Sequence, residues 1–250
     1  MKAGFIFTSK HSMLRSFISL SLLLMAAAGG IAAAQDVVLK PFTASYDLYR
    51  GGMHLAITQL SLERREEAWR WVSETRARGI YKLFTDKRPY AETRFARVGE
   101  RLLVTEILLD ENGGERHEET ARFDWANGRL EVLRKNKRNE VELGDAVYDY
   151  LSIHLLAASM GQSQMEKSTI DFYRKGKLVK SRFVYSGQQA VSIDGKSIDA
   201  NVYEQVVSRS KSKIKYYYDA QNPLLPLRIE KLEAGESPSI LSLRQVDWRL

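Results

Sequence analysis

The chain is 250 residues long, with 38 Lys and Arg against 31 Asp and Glu and a formal net charge of +7. That balance is mild and well mixed, so it leaves no nucleic-acid footprint, although it suits solubility near an anionic envelope surface. There is no cysteine, which excludes a disulfide framework and any cysteine-ligated metal site and leaves the fold to a hydrophobic core.

The first predicted element is a leader. The stretch "MLRSFISLSLLLMAAAGGIAAAQ" has a basic start at Arg15, an apolar run from Phe17 to Ala28, and Ala32 and Ala34 in an A-x-A pattern before Gln35. This is the layout of a secretory signal peptide. The expectation is a signal over residues 1–34, started at Met1 or Met13 and cleaved between Ala34 and Gln35, with residues 35–250 forming one β-rich periplasmic domain. Ser19, Ser21 and Gly29-Gly30 interrupt the apolar run, which argues against an uncleaved anchor, and no cysteine stands at the junction to carry a lipid. No later apolar segment is long enough to cross a membrane.

After the leader, strands dominate. Phe42, Ala44, Tyr46 and Leu48 alternate with Thr43, Ser45, Asp47 and Tyr49, the period of two of a half-buried strand. Gly51-Gly52, Asn112-Gly113, Asn127-Gly128 and Asp194-Gly195 sit between β-rich runs and can take the positive φ of tight hairpins. Seven strands are predicted near 42–50, 53–63, 68–78, 89–97, 101–110, 115–125 and 129–134. A second group is predicted near 169–175, 178–186, 189–193, 197–208, 213–220, 226–233 and 239–249. In the strand over Arg101–Asp110, Leu102, Leu103, Val104, Ile107, Leu108 and Leu109 fall on both faces. It is expected in mid-sheet or covered on its second side. Pro223 and Pro226 mark a loop or the start of a strand, because proline cannot donate to a central ladder.

Two segments depart from the strand pattern. "AVYDYLSIHLLAASM" reads as a helix near 146–160, with Val147, Leu151, Leu155 and Leu156 on one stripe that must pack on the sheet, most simply inside its concave side. "GIYKLFTDK" (79–87) reads as an apolar turn, with Ile80, Leu83 and Phe84 on one face, serving either as a buried corner or as a flap over a sheet end. "KNKRNE" (135–140) reads as a solvated basic connection, with docking to an acidic headgroup as its functional alternative. The fold class is therefore mainly β: an antiparallel up-and-down sheet forming an open or closed barrel, with one packed α-helix.

No catalytic motif stands out. His54, His117 and His154 have no metal-ligand spacing, so no metal or cofactor is expected. His117 and Glu118-Glu119 cannot converge on a strand, whose neighbouring side chains point to opposite faces. His154 reads as a satisfied imidazole at the edge of the helix stripe. Asp47, Glu74, Glu92 and Glu106 could pair across strands into a hydrolytic site, a convergence that sequence does not display. Trp69 and Trp71 share one strand face, and Tyr216 and Tyr218 another with Tyr217 opposite. Such aromatics either fill a core or line a concavity for an apolar ligand.

The order of several segments resembles a known family. "YDLYRGGMHLAITQLSLE", "RARGIYKLFTDKRPYAETRF", "VYDYLSIHLLAAS" and "KIKYYYDAQNPLLPLRIE" are similar, in that order, to segments of the domain of unknown function 3108 (DUF3108) family of exported bacterial proteins. Asp149, Leu151 and Ser152 match the family's D-x-L-S helix, and Asp219, Pro226 and Ile229 match its closing strand pair. "YYYDAQ" departs where relatives often carry a tryptophan. The resemblance implies a periplasmic β-rich protein and carries over no catalytic residue. By analogy it also implies a likeness to the half-barrels of bacterial lipoprotein carriers.

The expectation is a non-enzymatic protein that binds an apolar or amphipathic envelope ligand, such as a lipid, in the concavity of its barrel. Trp69, Trp71, Ile80, Leu83 and Phe84 are the lining candidates. The alternative is a protein–protein module in envelope assembly, using an exposed edge strand or the Lys135–Arg138 loop. A hydrolase built on cross-strand carboxylates is the third reading.

Overall fold

The computed structural model describes residues 38–248 apart from 84, 99–100, 114–117, 164, 209 and 211. The expected leader with its cleavage site at Ala34 and Gln35, together with Phe84 and His117, therefore lies outside the described residues.

One sheet runs through the molecule. β1 (Phe42–Arg50) turns through Gly51 and Gly52, at φ +57° and +79°, into β2 (Met53–Arg65). Both dihedrals lie in the left-handed region that a side chain disfavours, so the glycine pair is the bend of a hairpin. β3 (Ala68–Ala77), β4 (Tyr90–Val98), β5 (Arg101–Asp110), β6 (Glu119–Asp124), β7 (Arg129–Arg134) and β8 (Lys137–Glu142) continue the meander. On its other side β1 pairs with β15 (Ser239–Trp248). The sheet then runs back through β14 (Pro226–Glu233), β13 (Ser212–Asp219), β12 (Lys196–Val207), β11 (Lys177–Ile193), β10 (Lys167–Arg174) and β9 (Val147–Tyr148). The 15 strands thus form two arms joined at β1 and β15, and β8 and β9 end the sheet without pairing to each other.

The pairing departs from the expected pattern in a few places. β9 runs parallel to β10, and a parallel neighbour needs a crossover, supplied here by α1 (Ile153–Ser163). Residues 146–152 are consequently not helical, and Val147 belongs to a strand. The basic connection at 135–140 is a tight turn through Lys135 and Asn136, at φ +48° and +61°, followed by β8. The expected break near residue 187 is a bulge inside one 17-residue strand, where Gly187 takes φ +102° and the register with β12 shifts between Tyr185 and Gly187.

From Ile153 to Ala158, α1 is buried around its circumference, not along one stripe. Residues from Ile153 to Ala158 are all buried. Leu151, Leu155 and Ala158 belong to the core cluster that holds Phe42, Trp71 and Phe95 of the first arm. Ile153, Leu156, Ala157 and Met160 belong to the cluster with Phe172, Phe183, Tyr203, Tyr216 and Tyr218 of the second. A helix apolar on every side must be enclosed, and here the curled sheet encloses it. The arms also meet directly. Val104, Ile107, Phe123 and Val132 pack with Val147 and Tyr173, and Glu119 accepts from the Tyr173 hydroxyl at 2.6 Å and the Gly176 N–H at 3.0 Å. Side chains, rather than a ladder of hydrogen bonds, draw the ends of the sheet together.

The D-x-L-S segment sets the start of the helix. The Ser152 N–H donates to Asp149 Oδ1 at 2.8 Å, and the Asp149 N–H donates to Ser152 Oγ at 2.9 Å, a reciprocal capping box. Thr93 on β4 donates to Asp149 Oδ2 at 2.6 Å. The cap therefore also bolts the helix to the first arm.

Candidate functional site

The expected lining residues fall into two separate places. Trp71 is fully buried and Trp69 packs beside it on the inner face of β3. The Trp71 ring makes an edge contact with Phe42 at 5.5 Å and lies 5.1 Å from His154, and its indole N–H has no protein acceptor among the described residues. Around Trp71 the inside of the sheet is occupied by packed side chains and by α1. Ile80 and Leu83, by contrast, are 63% and 82% exposed. They lie past the far end of β3 on a 3-10 turn, Gly79–Leu83. The structure does not bring the tryptophans and this turn together.

The turn roofs a cleft on the outer face of the sheet. The floor follows from register: Ser45 pairs with Gln59 and Gln59 with Glu74, while Ile57 pairs with Arg76 in the next row. Residues opposite one another in a ladder share a face. These five therefore face away from the core, and they line a cleft of roughly 590 Å³. Its roof is Arg78, Lys82, Thr85, Asp86, Lys87 and Arg88.

Backbone hydrogen bonds hold the roof. The Arg78 N–H donates to Leu55 O at 2.9 Å, the Thr75 N–H to Pro89 O at 3.0 Å and the Arg88 N–H to Asn112 O at 3.3 Å. Asp110 Oδ1 accepts from the N–H groups of Asn112 and Gly113 and shapes the supporting loop. Gly113 has φ +75°, and a Cβ there would lie 2.7 Å from Arg88 O, so only glycine lets this loop brace the backbone of Arg88. Met53, 55% exposed, adjoins the turn and accepts from the Tyr81 hydroxyl at 3.2 Å.

Beyond the cleft the outer face is a ladder of alternating charge. Arg70 bonds Glu63 at 2.8 Å and reaches Glu92 at 3.4 Å. Arg94 bonds Glu92 and Glu106, both at 2.6 Å, and Arg122 bonds Glu106 at 3.0 Å. Burial alone would raise the Glu92 carboxyl, but hydrogen bonds from Tyr90 and Arg94 and the charges of Arg94 and Arg70 outweigh it and hold the group below its ordinary value. Glu63 is held down in the same way, burial being outweighed by Arg70, Arg65 and Ser61. A glycosidase-type site needs one carboxyl raised to act as the acid, whereas these two are pushed the other way and interleaved with arginines.

The two described histidines, His54 and His154, do not form a centre. His54 Nε2 lies 3.0 Å from Asp47 Oδ1. His154 is buried, with Nδ1 2.8 Å from the Tyr218 hydroxyl, and burial pushes its pKa down to about 3. Among the described residues no group of three or more His, Asp or Glu could hold a metal ion.

The family model described as a protein of unknown function (DUF3108) matches residues 45–236. The chain belongs to the DUF3108 family. That description assigns no activity, so it carries no residue role to this chain. The match spans the glycine hairpin, the 3-10 turn, the capped helix and the Pro226 strand. Among solved structures, the hypothetical lipoprotein YmcC from Escherichia coli aligns at 11% identity over 84% of this chain and 90% of its own, with a TM-score of 0.32. A protein with a YmcC-like fold from Bacteroides fragilis aligns at 10% identity over 84% and 96%, also with a TM-score of 0.32. No curated protein matches the chain.

The turn was legible as an apolar element, but the cleft was not. Arg76, Arg78, Lys82, Lys87 and Arg88 stand within one short stretch of sequence. The rest of the floor, Ser45, Ile57 and Gln59, comes from β1 and β2, and only the register supplies it.

Proposed function

We propose that this DUF3108 protein is a non-enzymatic, exported protein of the bacterial envelope that binds an amphipathic envelope molecule at its outer cleft. The observation that carries this reading is the juxtaposition of exposed apolar side chains with a cationic groove. Ile80, Leu83 and Met53 are exposed beside Arg76, Arg78, Lys82, Lys87 and Arg88. Exposed large apolar residues grouped at a polar rim mark interaction sites, and a mixed apolar and cationic surface suits a molecule with both a tail and a charged head. The leader expected at residues 1–34 supports export to the periplasm. The arginine-paired carboxylates support a binding role over hydrolysis.

The test is titration with a fluorescent fatty acyl probe, together with mass spectrometry of lipid extracted from the purified protein. Binding is expected, and the Ile80→Ser/Leu83→Ser double variant should weaken it while leaving the melting temperature unchanged. Absence of both probe binding and copurified lipid would overturn the reading.

A second reading has one observation in its favour. β8 ends the sheet and is exposed along most of its length, so a partner strand could add there. Its Lys137, Arg138, Glu140 and Glu142 are also the charges that commonly discourage such pairing. A single cross-linked protein adduct at β8 in whole cells, with no bound lipid, would favour assembly over lipid binding.

A further inference from the structure

We infer that the outer cleft is built for a phosphate-bearing group. This rests on the amphipathic-ligand reading only for the position of the tail at Ile80 and Leu83. The first argument is local charge. Five cations line the cleft against two acids, Glu74 and Asp86, and Glu74 is already engaged by Arg76 at 3.3 Å. Arg78, Lys82, Lys87 and Arg88 make no side-chain ion pair among the described residues. On the same outer face, Arg70, Arg94 and Arg122 each meet a carboxylate. On this arm of the outer face the unpaired cations of the cleft therefore stand apart from the paired arginines beside them.

The second argument is shape. Arginine recognises phosphate by paired, charge-assisted N–H bonds and tolerates desolvation better than lysine. Arg78 and Arg88 leave opposite ends of the roof, and each is tied through its own backbone N–H, to Leu55 and Asn112. Arg88 is further braced by the close approach of Gly113. Ser45, Gln59 and Thr85 add neutral hydrogen-bonding groups to the lining. A cleft of roughly 590 Å³ has the size of a small-molecule site and exceeds what one carboxylate would fill. A surplus of three positive charges suits a phosphomonoester or diphosphate better than a singly charged group.

The same chemistry could reach the cleft as a free phosphate compound or as a lipid headgroup, and the experiment separates the two. The full protein is titrated with pyrophosphate by calorimetry, and then mixed with phosphatidylglycerol or phosphatidylcholine vesicles in a flotation assay. Pyrophosphate binding is expected to weaken roughly tenfold or more in Arg78→Gln/Arg88→Gln and to stay unchanged in Ile80→Ser/Leu83→Ser. Flotation with phosphatidylglycerol but not phosphatidylcholine would identify a headgroup as the source, whereas pyrophosphate binding without flotation would identify a free phosphate compound. Pyrophosphate binding that is absent, or unaltered in the arginine variant, would overturn the inference. If the acyl probe still bound in that case, the amphipathic-ligand reading would stand without it. If pyrophosphate bound through the arginines and the acyl probe did not, the phosphate site would stand and the tail reading would fall.

Discussion

Lowering the pH from 6.5 to 5 should destabilise the protein by about 2 kcal/mol through His154 alone. The imidazole is 1% exposed, bonded through Nδ1 to the Tyr218 hydroxyl at 2.8 Å, and ringed by Trp71, Tyr216 and Tyr218 at 5.1, 6.2 and 5.6 Å. Burial pushes its pKa down from 6.5 to about 3, so the folded protein keeps it neutral while the unfolded chain takes up a proton below pH 6.5. The unfolded state binds more protons throughout that window, and stability falls as pH falls through it at about 1.4 kcal/mol per unit. Above pH 6.5 both states are neutral and the dependence vanishes. Glu63 and Glu92, held below the carboxylate value of 4.5, lose their contribution only at lower pH, so between pH 7.5 and 5 the dependence is that of His154. The assay is urea unfolding of the wild type and His154→Gln between pH 7.5 and 5. Glutamine keeps a partner for Tyr218 but has no proton to gain. The wild type should lose about 2 kcal/mol relative to the variant across the window. A constant difference would mean that His154 is solvated in the folded state, and the account of an enclosed helix would fail with it.

Three other perturbations probe the frame. Asp149→Ala removes the cap and leaves Thr93 and Ser152 short of an acceptor, so it should cost about 2–4 kcal/mol in chemical denaturation; Asp149→Asn, which keeps one acceptor oxygen, should cost less. Glu119→Ala strands the buried Tyr173 hydroxyl, the Gly176 N–H and the Arg134 guanidinium; a loss of about 3 kcal/mol is expected, with faster hydrogen exchange at the β10–β11 turn. Gly51→Val or Gly52→Val forces a branched residue into positive φ and should cost roughly 1–3 kcal/mol while leaving the pyrophosphate affinity of the folded protein unchanged.

The strands were legible because their signals are local. Alternation from Phe42 to Leu48 and the turns at Gly51-Gly52 and Asp194-Gly195 need only neighbours in the chain, and they appear in the structure where the residues indicate, whereas Asn112-Gly113 opens a longer connection to a strand that starts at Glu119. β8 was missed because its turn is Lys135-Asn136, where a lysine and an asparagine take positive φ without glycine to announce it. The helix boundary was misplaced because Val147 fits both a helical stripe and the parallel ladder with Asp171, and tertiary pairing decided between them. The burial of α1 from Ile153 to Ala158 was equally hidden, since Leu155 and Ala158 pack into one core cluster and Ile153 and Leu156 into another. Ile80 and Leu83 lie on a turn as expected, but they are exposed and do not form a buried corner. Their separation from Trp69 and Trp71 follows from the length of β3, and the floor of the cleft from the pairing of β3 with β2 and of β2 with β1, which no local pattern encodes.

The most direct test of the proposed function is photolabelling with an amphipathic probe that carries a phosphate head and a photoreactive acyl chain, followed by peptide mass mapping. The outer-cleft account predicts label on the peptide that contains Ile80, Leu83 and Arg88, competed by pyrophosphate and lost in Arg78→Gln/Arg88→Gln. Label on Trp69, Trp71 or the residues of α1 would place the ligand inside the sheet and contradict it.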